Sequence, residues 1–336
     1  NFVGYLENVL SGRGNLFVNV KDVTVPDVAV TTLSPSAQHA THVANIRYDV
    51  VTRGSVLPSD VVRTFYDLFP DSYDFVAVVQ PVTSFNNRYY SGVQNDTQGL
   101  GLSLFDRSAQ YGSAGRLQGI ILFPMSSYFD LGETTASHEI GHRWINFLDA
   151  PLLASGEPHW PISSLARGLM GFNIPGSNVG GHFPYVLHEQ PSGDYLLECA
   201  EPIREYLDLD LYLMGLMPPD SVGEHFVFTN QNQGSALHCG GTLLGPVQRF
   251  GVADVIATDG ARVPAWPAAQ RDFRIATIVV SRGRLLTEDE MAFFDHMAAR
   301  GSATTQLHFT SGFTRGMTKP FYVSTGGRGT LTTTLQ

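Results

Sequence analysis

Lysine is nearly absent: Lys21 and Lys319 are the only two in 336 residues, and charged residues make up 15% of the chain. An average soluble protein has about a quarter. The 21 basic residues are outnumbered by 31 acidic ones, the net charge is −10, and no basic stripe forms, which argues against a nucleic-acid partner. No run of eighteen apolar residues occurs, so no transmembrane helix is expected. Cysteine is scarce too. Cys199 and Cys239 are the only pair, and they allow one disulfide or two buried thiols. There is no internal repeat and no low-complexity tract. The first residue is Asn1, as in a processed, secreted chain or any trimmed one. One glycosylation-type triplet, Asn95-Asp96-Thr97, is no more than chance supplies.

What is present is ample core, with 43% hydrophobic residues. The length suits one large enzyme domain. "NIRYDVV" (Asn45–Val51) reads as a strand, and "PSDVVRTFYDLF" (Pro58–Phe69) as a helix ended by Pro70. "YDFVAVVQ" (Tyr73–Gln80) and "LQGIILF" (Leu117–Phe123) read as buried strands. The Gly- and Asn-rich stretch between them, Phe85 to Gly115, reads as mostly loop. After Pro151 the chain is irregular to about Asp194. A helix is expected over Pro202–Met214, a strand over Phe273–Val280 and a helix over Thr287–Arg300, opened by a Thr287/Glu290 capping box. These elements predict an α+β fold in a single domain, residues 1–336. An N-terminal lobe (about 1–150) ends in the helix discussed next, and a more irregular lobe (about 151–336) follows.

That helix carries "TTASHEIGHRWINF" (Thr134–Phe147). Residues four apart share a helix face, so His138 and His142 can aim at one metal ion. Glu139 lies ~100° further round, placed to take a proton from water rather than to ligate. HExxH arises by chance in roughly 1% of chains of this composition. Asp130 and Glu133 resemble a capping box at the start, and Pro151 stops the helix. Ala136, Ile140, Trp144 and Phe147 form the apolar stripe, with the two histidines opposite. Imidazoles completed by a carboxylate or a third imidazole favour zinc.

A catalytic zinc usually has three protein ligands and one open position. The metzincin extension is excluded, because Ile145 and Leu148 stand where it needs Gly and His. No downstream Asn-Glu pair of the thermolysin-like kind occurs. On the helix near "EPIREYLDLDLYLMG" (Glu201–Gly215), Asp210 falls in an apolar stripe with Ile203, Leu207 and Met214. A buried carboxylate must meet a cation or strong donors. Asp210 is therefore the favoured third ligand, the alternative being a salt bridge to an arginine. His159 is a rival ligand or an oxyanion donor, and Glu157 a weaker ligand candidate. Tyr212 and Tyr206 are candidate phenols for the transition state. His39, His42, His182, His188, His225 and His238 are read as bystanders.

"HEIGHRW", "HW" (His159–Trp160), "EYLDLDLYLMGLMPP", "DGARVPA" and "FRIATIVV" together resemble a group of bacterial zincin-type metallopeptidases, mostly uncharacterised. The resemblance runs from about Phe65 to the C-terminus. In that group an HExGHRW helix is followed by HW and a Y-S-x-L-D-x-Y-L-M-G segment. The recurring aspartate falls on Asp210 and the recurring histidine on His159, while Leu207 stands where serine is common. The resemblance implies a zincin-like fold, with a twisted mixed sheet over the HExxH helix and a cleft between them.

The expected activity is that of a secreted or periplasmic zinc-dependent endopeptidase, acting as a monomer on protein or peptide substrates. His138, His142 and Asp210 hold Zn2+, Glu139 is the general base, and His159 or Tyr212 binds the oxyanion. The strand Leu117–Phe123 is expected to pair with an extended peptide. A peptidase directed at glycoproteins such as mucins is the alternative, and a non-catalytic binding module with the same fold is a third reading.

Overall fold

A computed structural model of the chain describes residues 25–49, 57–80, 88–124, 128, 135–150, 152–153, 159–173, 180–181, 185–199, 205–308 and 317–336. It is a mixed α/β structure built on an eight-stranded sheet. The sheet elements are β1 (Thr31–Ser34), β2 (Ala37–His39), β3 (Val43–Arg47), β4 (Phe75–Gln80), β5 (Tyr89–Gly92), β6 (Gly119–Pro124), β7 (Asp272–Ser281) and β8 (Thr330–Thr332). Their order is β1-β2-β3-β7-β4-β6-β5, with β8 beside the start of β7. The centre is parallel: β7 pairs with β3 and β4, and β4 with β6. Both flanks are antiparallel, through β1–β2–β3 on one side and β5 on the other.

β4, "FVAVVQ", is buried along its whole length, as a parallel strand covered on both faces should be. Its alternation sorts the two faces. Val76 and Val78 pack with Val61, Val62 and Phe65 of α1 (Pro58–Tyr66), which opens with Pro58. Phe75, Ala77 and Val79 face the larger core, with Ile140, Trp144, Leu209 and Phe273. That core joins residues from both halves of the chain, so the sheet and the later segments share one apolar interior. Asp74, fully buried, ties three strands together by accepting from Arg274 N, Gln118 Nε2 and Gln270 Nε2, and from the Arg116 guanidinium.

Between residues 150 and 250 the regular elements are short. They include a three-stranded meander over Tyr185–Glu189, Tyr195–Cys199 and Thr242–Leu243 and a hairpin of His225–Phe228 with Val247–Phe250. Two further helices matter here, α2 (Asp208–Met214) and α3 (Glu288–Ala299); α2 is shorter than the expected Pro202–Met214, since residues 205–207 are not helical and Leu207 is its N-cap. The capping box on α3 forms as expected, with Glu290 N donating to Thr287 Oγ1 and Thr287 N to the Glu290 carboxylate. Cys239 is disulfide-bonded. Among the described residues no helix is long and apolar enough to cross a membrane.

The sheet corrects one expectation. β6 is bonded on one side to β4 and on the other to β5, so it has no edge left for a peptide. Among the described residues the outermost strands are β1 on one side and β5 on the other, and β5 lies inside the stretch read as loop. Four residues between Asn-rich segments carry too little alternation to announce a strand.

Candidate metal centre

The motif helix covers residues 135–141. Ala136, Ile140 and Trp144 pack into the core below the sheet. Gly141 is closely packed: a Cβ there would lie 2.5 Å from Met170 Sδ and 2.9 Å from Tyr206 Cε1, so those side chains would have to shift. The helix ends well before Pro151. From His142 on, backbone bonds shorten to three-residue spacing, His142 N to Glu139 O, Arg143 N to Ile140 O and Trp144 N to Gly141 O. Asn146 then adopts a left-handed φ of 77°, a helix-ending conformation asparagine tolerates. Asp130, Glu133 and Pro151 lie outside the described residues.

His138, His142 and His159 come together, each offering a ring nitrogen within 4.8 Å of the others. His138 Nε2 is 3.1 Å from His142 Nε2 and 3.3 Å from His159 Nε2. On its other side His138 Nδ1 bonds the Leu169 carbonyl at 2.9 Å. A carbonyl only accepts, so the proton of a neutral His138 sits on Nδ1 and its Nε2 presents a lone pair. Two further imidazole nitrogens converge on that lone pair, an arrangement a cation relieves. Metal–nitrogen bonds of 2.0–2.1 Å at tetrahedral angles separate their nitrogens by about 3.3 Å. The donor chemistry, the spacing and the carbonyl behind His138 all fit a divalent metal ion.

Glu139 is buried beside the cluster. Burial raises its carboxyl to about 7, against the opposing pull of Arg88 and the Tyr90 backbone N–H. Arg88 Nε stands 3.4 Å from Glu139 Oε1. Arg88 precedes β5 and Tyr90 lies within it, so the base sits against the outermost described strand on that side of the sheet. Sequence reading missed Arg88, and no periodicity or motif marks it.

Asp210 is not in the group. It is fully buried, but its oxygens are taken by Trp160 Nε1 (3.0 Å to Oδ1) and Leu207 N (2.9 Å to Oδ2). The demand for a partner is met by neutral donors, neither a metal nor an arginine. Asp210 is the third residue of α2 and its carboxylate caps the helix start. Burial raises it to about 7, with both donors opposing. Tyr206 Oη donates to the Ser137 carbonyl of the motif helix, and Tyr212 Oη accepts the Arg262 backbone N–H. Arg262, buried, closes the other end of α2 through Leu213 O and Met214 O, which gives the "GARVP" segment a structural role.

The remaining histidines face other partners. His225 Nε2 meets Asp208 Oδ1 at 2.7 Å, and His188 pairs with Glu198. His39 bonds the Ala40 carbonyl, His42 the Thr333 hydroxyl and His238 the Cys239 carbonyl. Glu157 and His182 lie outside the described residues. Arg143, the arginine of "HRW", is buried and donates to Gln118 Oε1, Asn95 Oδ1 and Asp96 Oδ1. Asn95 is buried as well, its amide spent on the Thr97, Leu102 and Ser103 carbonyls, so it presents no glycosylation acceptor. No known protein family, curated protein or solved structure matches the chain.

Proposed function

We propose that the chain is a zinc-dependent endopeptidase of zincin-like architecture. The observation that carries this reading is the convergence of three imidazoles beside a buried carboxylate that packs against the β5 side of a mixed sheet. His138, His142 and His159 would hold the ion, leaving a fourth position open. Bound zinc supplies Lewis-acid polarisation of a carbonyl oxygen and acidifies water. Glu139 takes a proton from the attacking water at its carboxylate and hands it to the leaving amine nitrogen. The Tyr90 backbone N–H and Arg88 orient that carboxylate. An extended peptide would run along β5, the outermost described strand on that side of the sheet, beside Glu139. The disulfide at Cys239 supports an oxidising, extracellular or periplasmic setting.

The test is hydrolysis of an unfolded protein substrate. Activity should disappear on treatment with a chelator and return on adding zinc. Glu139→Gln should bind zinc as the wild type does and hydrolyse nothing measurable. Hydrolysis retained by that variant would overturn the assignment of the base.

A further inference from the structure

We infer that Trp160 and Asp210 are positioning residues for His159, the hinge pin that delivers the third imidazole to the cluster. The inference rests on the metal reading above and adds residues to it. His138 and His142 belong to one short segment, so backbone geometry sets their separation. His159 comes from outside that segment, and no helix or strand carries it. Something must hold it in register.

The next residue does so. Trp160 is fully buried and its indole N–H is spent on Asp210 Oδ1 at 3.0 Å. Asp210 is itself immobilised. Its second oxygen takes Leu207 N at 2.9 Å, and Arg262 grips the far end of α2 through Leu213 O at 2.7 Å and Met214 O at 3.0 Å. A carboxylate at this depth is costly where packing alone is needed, since an apolar side chain would fill the space without desolvating a charge. Its two oxygens serve two separate donors, the indole and the start of α2, which an apolar residue cannot do. Further along, Gln231 clamps both the N–H and the carbonyl of Ile162, so the segment after His159 is anchored at Trp160 and again at Ile162.

The experiment measures zinc affinity by competition with a chromogenic chelator, and needs no substrate. Trp160→Phe keeps a ring and removes the donor. Asp210→Asn keeps the size and leaves one acceptor for two donors; it is carried in parallel so that the test survives if either protein fails to fold. Each should weaken zinc binding about tenfold to a hundredfold, as loss of an outer-shell partner does. The same changes are then made on His159→Asn. There each should change affinity less than twofold, because the residue they act through is gone. Unchanged affinity in both single variants would overturn the inference. So would an equal loss with and without His159, which marks general loosening of the fold. A wild-type protein that takes up no zinc would overturn the metal reading itself, a distinct result.

Discussion

Arg88 Nε lies 3.4 Å from Glu139 Oε1, joining the residue that leads into β5 to the residue that follows the first motif histidine. The pair sets a cation beside a carboxylate that burial would otherwise leave poorly oriented and poorly charged. Arg88→Met should therefore lower kcat about tenfold to a hundredfold, the value of one hydrogen bond or ion pair to a charged group. Zinc affinity should change less than about twofold, because the partner of Arg88 is Glu139, which is not one of the proposed ligands. Steady-state kinetics with a parallel zinc titration check this. An unchanged kcat would remove Arg88 from the account.

Gly141→Ala tests why the motif reads HEIGH. Its Cβ would meet Met170 Sδ at 2.5 Å and the Tyr206 ring at 2.9 Å. Overpacking of this kind costs about 1–3 kcal/mol. Thermal unfolding should show the loss, and Gly141→Ala should cost less when introduced into Met170→Ala than into the wild type. A variant as stable as the wild type would mean that the two side chains yield without cost.

Asp208 supplies the clearest pH dependence of stability. Burial pushes its carboxyl up, but hydrogen bonds from His225, Gly223 N and Leu209 N outweigh this and bring it from 3.8 to about 2. A folded-state value below the ordinary one stabilises the fold above pH 3.8, and that contribution is lost as pH falls toward about 2. After allowance for solvent screening it amounts to roughly 1–2 kcal/mol. Urea unfolding of wild type and Asp208→Asn should differ by about this much near pH 6 and converge toward pH 2. A gap that stays constant with pH would contradict the assignment.

Arg143 lends itself to a sharper substitution. Its guanidinium reaches three acceptors on different residues, Gln118, Asn95 and Asp96. Lysine keeps the charge but lacks the planar fork. Arg143→Lys should still destabilise the protein, by about 1–3 kcal/mol for each buried acceptor left unpaired. Chemical denaturation measures it, and a neutral result would show that the charge alone matters.

The parts of the fold legible in the sequence are those with a period. β4 and β7 are continuous apolar runs, and the capping box at Thr287 is local. His138 and His142 were readable as a pair because a helix turn places i and i+4 together. His159 could be named as a candidate but not chosen, since no regular element carries it and its position depends on contacts fifty residues downstream. Asp210 shows the limit most sharply. It is fully buried, but not through the helical-wheel stripe drawn over Pro202–Met214: the helix starts only at Asp208, Leu207 is its N-cap, and Tyr212 on the expected solvated face is buried too. The wheel cannot say which partner, and the indole N–H of Trp160 has no signature at a distance of fifty positions. Arg88 and β5 were invisible for a different reason: a four-residue edge strand in an Asn-rich stretch offers neither alternation nor length.

The most direct test of the central claim is a zinc-edge anomalous difference map from crystals of the zinc-loaded protein. The account predicts one peak about 2.0–2.1 Å from a nitrogen of each of His138, His142 and His159, with the Asp210 carboxylate still bonded to Trp160. A peak coordinated by Asp210, or no peak at the three imidazoles, would contradict it.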